Sequence, residues 1–166
     1  MSIEVNDESG FQPAIELSEI HDLAVFVLDE MKVHPRSELA VLLVDEDTSE
    51  DLHIKWMDLD GPADVLSFPI DELRPGSSHD ALAEGVLGDI VICPSVAARQ
   101  AAAAGHATAD EILLLTTHGI LHLLGFDHQE EAEREEMFTL QRQLLLTFLA
   151  SRDPDRAANP PEPTVE

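Results

Sequence analysis

Residues 108–128 read TADEILLLTTHGILHLLGFDH, and the rest of the chain is best read outward from them. Thr108 and Glu111 stand three apart ahead of the apolar run 112–115. That is a capping-box pattern, so a helix is predicted from Thr108 to about Leu124. His118 and His122 lie four apart on it, which stacks their side chains with Cβ atoms ~5–6 Å apart. Gly125 follows at once. A glycine there can adopt a left-handed conformation, end the helix and turn the chain back, bringing His128 to the same point. Three neutral imidazoles with one open position describe a catalytic zinc site rather than a closed structural one. His118, His122 and His128 are therefore the expected ligands of one zinc ion per chain.

Upstream of this helix the pattern is β-rich. Strands are expected at residues 3–6, 39–44, 64–68 and 86–93, the third stopped by Pro69. Ser18 can cap a helix that puts Ile20, Leu23, Ala24, Val27, Leu28 and Met31 on one face. Thr48 or Ser49 should open a short helix; Trp56 has two readings, core beside Leu52 by default or a ring that stacks a base. Residues 71–85 read as a loop, and Pro94 as the start of an Ala-rich helix ending at Gly105. A last helix should span roughly 128–150, with Met137, Leu140, Leu144 and Phe148 on one face. From Ser151 the chain is Pro-rich and lacks large apolar residues, so 151–166 is expected to be a disordered tail beyond a single domain, 1–150. Strands first and helices after point to an α+β fold, a small sheet packed on helices.

The chain has 166 residues, with 34 Asp+Glu against 9 Lys+Arg, a net charge of −25. Such a chain lacks the broad basic face that holds nucleic acid by phosphate neutralisation, and lacks a polybasic membrane anchor. The acid is unevenly placed: between Ile90 and Phe126 only Asp110 and Glu111 are acidic. One cysteine, Cys93, rules out an intrachain disulfide. With no signal-like N-terminus and no long apolar run, a cytoplasmic protein is the expectation. His21, His34, His53, His79 and His106 lack ligand spacing and read as structural.

The spacing of the three histidines equals that of the metzincin peptidases, with one difference. Those enzymes carry a glutamate general base after the first histidine; here Gly119 stands there. A zinc peptidase is accordingly the weaker alternative. With Gly after the first histidine and Asp127 before the third, the motif closely resembles that of the YbeY family of bacterial endoribonucleases, the ribosomal RNA maturation factors, a resemblance that adds a non-catalytic, zinc-containing ribosome-assembly factor as another alternative. Residues 62–69, PADVLSFP, and 87–93, LGDIVIC, look like two further segments of that family.

The resemblance implies a mixed four-stranded sheet and a zinc-dependent, single-strand-specific endoribonuclease. Its role would be 3′-end maturation of small-subunit ribosomal RNA and ribosome quality control. It implies single-stranded or ribosomal RNA as substrate, with no role for DNA or membrane. It implies a small-subunit ribosomal protein or an assembly GTPase as partner. His118, His122 and His128 carry over as zinc ligands. An arginine of many members falls at Met57 here, and Lys55 is nearby but not equivalent, so no role carries over at that point. In such a mechanism the metal lowers the pKa of its water from about 15.7 toward ~7; activation of the ribose 2′-hydroxyl is the alternative. Asp127 has two readings, an acceptor orienting a ligand histidine or, with Glu130, a cap on the last helix. Lys55, Ser67 and Arg99 are the weaker substrate-binding candidates, with a solvated helix position the default for Arg99.

Overall fold

The computed structural model describes residues 2–12, 15–71, 85–153 and 155. The expected loop at 71–85 and the expected tail therefore lie mostly outside the described residues. The elements follow in the order β1 (Ser2–Asp7), α1 (Leu17–Glu30), β2 (Glu38–Leu43), α2 (Glu46–Met57), β3 (Val65–Pro69), β4 (Val86–Ile92), α3 (Pro94–Ala104), α4 (Thr108–Leu123) and α5 (Glu131–Arg152). The sheet is mixed and four-stranded, in the order β1-β2-β4-β3. β1, β2 and β4 are parallel, and β3 runs antiparallel to β4 along the edge. This is the α+β architecture expected from the sequence.

α4 occupies the centre. Every residue from Glu111 to Leu121 is buried, so the helix is enclosed on all sides rather than amphipathic. Its two buried hydroxyls, Thr116 and Thr117, donate back to the carbonyls of Ile112 and Leu113 at 2.7 and 2.9 Å, which satisfies them within the helix. α1 and α5 pack beside it, and Leu23, Val27, Leu28, Leu145 and Phe148 join Leu39, Val41, Ile90 and Ile92 of the sheet in one core. The other sheet face carries a smaller cluster, Val44, Leu66 and Val91, covered by Leu52 of α2.

Several helix starts differ from the sequence expectation. α1 begins one residue before Ser18, behind Glu16, and no side chain caps it. α2 begins at Glu46, because the Asp45 carboxylate accepts the Thr48 amide at 2.8 Å; Thr48 is the capped residue and not the cap. Glu111 forms no capping box. It is fully buried and accepts from Nε2 of His106 at 2.6 Å, tying the α3–α4 turn to α4. α5 runs to Arg152, two residues past the expected domain end at 150.

Trp56 is also not where the sequence suggested. It is 60% exposed and meets Phe68 edge-on at 5.9 Å. The reason lies in how α2 is held. Ser49 Oγ accepts from the Ala63 amide and donates to the Ala63 carbonyl, and a His53–Gly61 contact at 3.0 Å adds a second tie. These bonds fasten α2 to the segment entering β3, and its last turn projects past the sheet edge.

Gly88 sets the edge pairing. Its φ is +150°, and a Cβ there would lie 2.3 Å from the Phe68 carbonyl oxygen, so β3 can approach β4 only against a bare backbone. Gly88→Ala should therefore cost about 2–4 kcal/mol. Gly61, with φ +85° but nothing within 4 Å, should cost only about 1 kcal/mol as Ala. Urea midpoints of the two variants check this, and equal losses would show that sterics at Gly88 do not matter.

Candidate metal centre

α4 and the turn after it build the site. The Gly125 amide donates to the His122 carbonyl and the Phe126 amide to the Leu121 carbonyl, each at 3.0 Å, with Gly125 at φ +99°. This paired closure is a Schellman turn, which only a residue tolerant of the left-handed region makes cheaply. It reverses the chain over the helix end. The three imidazole centroids then lie 4.6 Å (His118–His122), 5.3 Å (His118–His128) and 5.1 Å (His122–His128) apart. One ring nitrogen from each falls within 4.8 Å of the others. Among the described residues this is the one group of three or more potential ligands so gathered.

The donor chemistry fits a metal ion. His118 is buried, and its Nδ1 lies 2.8 Å from Oε1 of Gln141, a buried residue of α5. An amide oxygen only accepts, so Nδ1 carries the proton and Nε2 keeps its lone pair. Burial, reinforced by the neighbouring His122, pushes the His118 pKa down to about 4. Burial also lowers that of His122, with His128 adding to the effect. Both rings are thus neutral at neutral pH, the form that ligates metal. Phe138 of α5 packs on the rings of His118 and His128 at 6.1 and 5.8 Å between centroids. Gln141 and Phe138 were invisible to the sequence reading. The available signal was their i, i+3 spacing on the last helix.

Gly119 has a second role that spacing alone does not reveal. A Cβ there would stand 3.0 Å from Ile90 Cγ2 and 3.2 Å from Ser67 Oγ. The helix backbone lies close on β3 and β4, so any side chain at this position would have to push Ile90 and Ser67 aside. Ser67 Oγ donates to the Gly119 carbonyl at 3.3 Å, placing this residue beside the ligand helix with its hydroxyl turned to the backbone.

The other sequence candidates fall elsewhere. Arg99 is exposed on α3, as its default reading expected, and its guanidinium forks onto both oxygens of Glu46 at 3.0 and 3.3 Å. Lys55 is exposed, its Nζ 5.2 Å from the Trp56 ring centre. Asp127 accepts the backbone amide of His128 at 2.7 Å. It does not cap α5, which starts behind Glu130 without a side-chain cap. Cations the sequence reading passed over sit nearer. Arg134 and Arg142 line an open depression of about 780 Å³ with His128 and Phe138, among Glu130, Glu131 and Glu135.

A family model described as endoribonuclease YbeY matches residues 4–149. A relative from Kineococcus radiotolerans, named endoribonuclease YbeY, is 57% identical over 166 residues, covering 99% of this chain and 93% of that one. One of the same name from Beutenbergia cavernae is 59% identical over 152 residues, covering 92% and 100%. The solution structure of a Thermotoga maritima protein shares the fold, with a TM-score of 0.61 at 23% identity over 95% of each chain.

Two outcomes follow from the centre's geometry. An unfolded histidine takes up a proton below about pH 6.5, whereas folded His118 resists until about 4. The metal-free protein should thus be most stable above pH 6.5 and lose stability as pH falls toward 4. Urea midpoints between pH 7 and 5 should show this slope, and His118→Asn should flatten it. Replacing Gln141 by Leu should weaken metal binding about 10–100-fold, read by competition with a chromophoric chelator; undiminished affinity would remove Gln141 from the centre.

Proposed function

This chain belongs to the YbeY family of endoribonucleases, and from that we propose a zinc-dependent endoribonuclease specific for single-stranded RNA. His118, His122 and His128 hold the ion. The observation that carries the reading is the three-imidazole group at the end of a buried helix, with Gly119 packed where a peptidase would need its base. Its cellular task is 3′-end maturation of small-subunit ribosomal RNA and ribosome quality control, in the cytoplasm. A small-subunit ribosomal protein or an assembly GTPase delivers the substrate. Among the described residues no helix is long and apolar enough to cross a membrane, in keeping with a substrate met in solution.

Bound zinc would act as a Lewis acid on a phosphoryl oxygen and acidify its water. The chain's own residues do the rest. Gln141 holds His118 in the Nδ1–H form with Nε2 toward the centre. Phe138 packs against two of the three rings and limits their rotation. Arg134 and Arg142, in the depression beside His128, supply positive charge within reach of a phosphate. With only Asp110 and Glu111 acidic between Ile90 and Phe126, and Glu111 buried against His106, the ligand helix adds little repulsion toward RNA. Ser67 steadies α4 through the Gly119 carbonyl.

The test takes purified protein of measured metal content on single-stranded RNA, duplex RNA and casein. Single-stranded RNA should be cut, with the rate falling at least about 100-fold on chelation or in His122→Ala. Cleavage that survives both would sink the metallonuclease reading, and casein cleavage would restore the peptidase.

A further inference from the structure

Helix α5 carries a cation, a ring and a cation in one row. Arg134, Phe138 and Arg142 follow each other at intervals of four, so they share one face of the helix. The two arginine backbones stand about 12 Å apart along its axis. Phe138, the middle member, packs on the rings of His118 and His128 at 6.1 and 5.8 Å. The Arg134 guanidinium carbon lies 5.3 Å from the Phe138 ring centre, a cation–π distance. The row is therefore seated against the ligand histidines through its ring. With His128 it lines the depression of about 780 Å³, a size that takes one small ligand.

The chain has few cations to place, nine Lys+Arg against 34 acids. Arg99 and Arg152 are held by Glu46 and Asp22, and Lys55 lies over Trp56. Two exposed arginines nevertheless stand in one row beside His128. Guanidinium groups interleaved with a ring have the chemistry of single-strand recognition, in which cations take phosphates and flat π faces take bases. We propose that this row is a one-nucleotide subsite flanking the metal centre. Arg134 and Arg142 take the phosphates on either side of a nucleotide that lies unpaired in the depression. A nucleotide enters a space of this size only without its paired partner, so the subsite selects single strands. Glu130, Glu131 and Glu135 line the same depression and oppose the phosphates, which keeps the grip weak. The inference deepens the ribonuclease proposal and rests on it for the identity of the strand.

The test uses the full chain, zinc-loaded and after chelation, with a fluorescein-labelled hexauridine read by anisotropy and checked for cleavage. After chelation, two phosphate contacts on a single strand predict a slope of log K against log salt of about −1.4. Arg134→Gln and Arg142→Gln should each remove about half of that slope. Each should bind about eightfold more weakly at about 50 mM salt and only about threefold more weakly at about 200 mM. A merely structural loss would not fade with salt in this way. Arg134→Lys should restore the slope, because a point charge suffices for a phosphate. Glu131→Gln with Glu135→Gln should tighten binding. An RNA duplex should bind more weakly than the single strand, with no dependence on either arginine. Zinc affinity, read by chelator competition, should stay within about twofold in the arginine variants, since neither residue hydrogen-bonds a ligand histidine. Arg36→Gln, in the turn before β2, should change nothing. Unchanged slopes in both α5 variants, or an equal loss in Arg36→Gln, would overturn the proposal. Metal-dependent cleavage with unchanged slopes would remove the subsite and leave the ribonuclease proposal standing. The expected slopes without cleavage under any metal would do the reverse.

Discussion

The structure depends on one close contact, the bare backbone of α4 at Gly119 lying on Ile90 and Ser67. A helix can sit this near a sheet only where a Cβ is missing, and here the missing Cβ is on the residue that follows the first histidine. The contact lets β3 and β4 pack along the same helix that carries His118 and His122. Gly88, two residues from Ile90 on β4, does the same service, letting β3 close on β4 against the Phe68 carbonyl. Edge strand, central helix and histidine pair are thus set by two positions without side chains. A side chain at residue 119 would therefore crowd Ile90 and Ser67.

Around that contact the fold makes a place where imidazoles stay neutral. α4 is enclosed by α1, α3, α5 and the sheet, so His118 is desolvated before any ion arrives, and its pKa falls for that reason first. Desolvation alone would leave a polar ring unsatisfied. Gln141 answers this from α5 with a hydrogen bond whose direction also decides which nitrogen is free. Burial, tautomer and ligand geometry are in this way one arrangement of two helices and a turn.

The charge of −25 takes on a more particular meaning against the structure. On α4 it is confined to Asp110 and to Glu111, which is buried and accepts a hydrogen bond from His106. It gathers on the surface of α2, on the segment after it, and at the start of α5, where Glu130, Glu131 and Glu135 stand with Arg134 beside His128. Acid and exposed apolar surface coincide at the end of α2.

Much was legible from the residues alone. The i, i+4 histidines, the terminating glycine and the third histidine are consequences of local helical geometry, which sequence spacing encodes directly. The strands came within a residue or two at each end because continuous Val/Ile/Leu runs have few other ways to be buried. The sequence by itself therefore determined the fold class and the three ring positions. What it left open were matters of distance between segments far apart in the chain. Glu111 looked like a cap until His106 was seen beside it, Arg99 looked free until Glu46 met it across 53 residues, and Trp56 looked buried until α2 proved to be tied at Ser49 and His53. Gln141 and the crowding at Gly119 belong to the same class. Tertiary structure alone decided these, because a hydrogen bond or a steric limit across the core depends on where two elements pack, and no local periodicity records that.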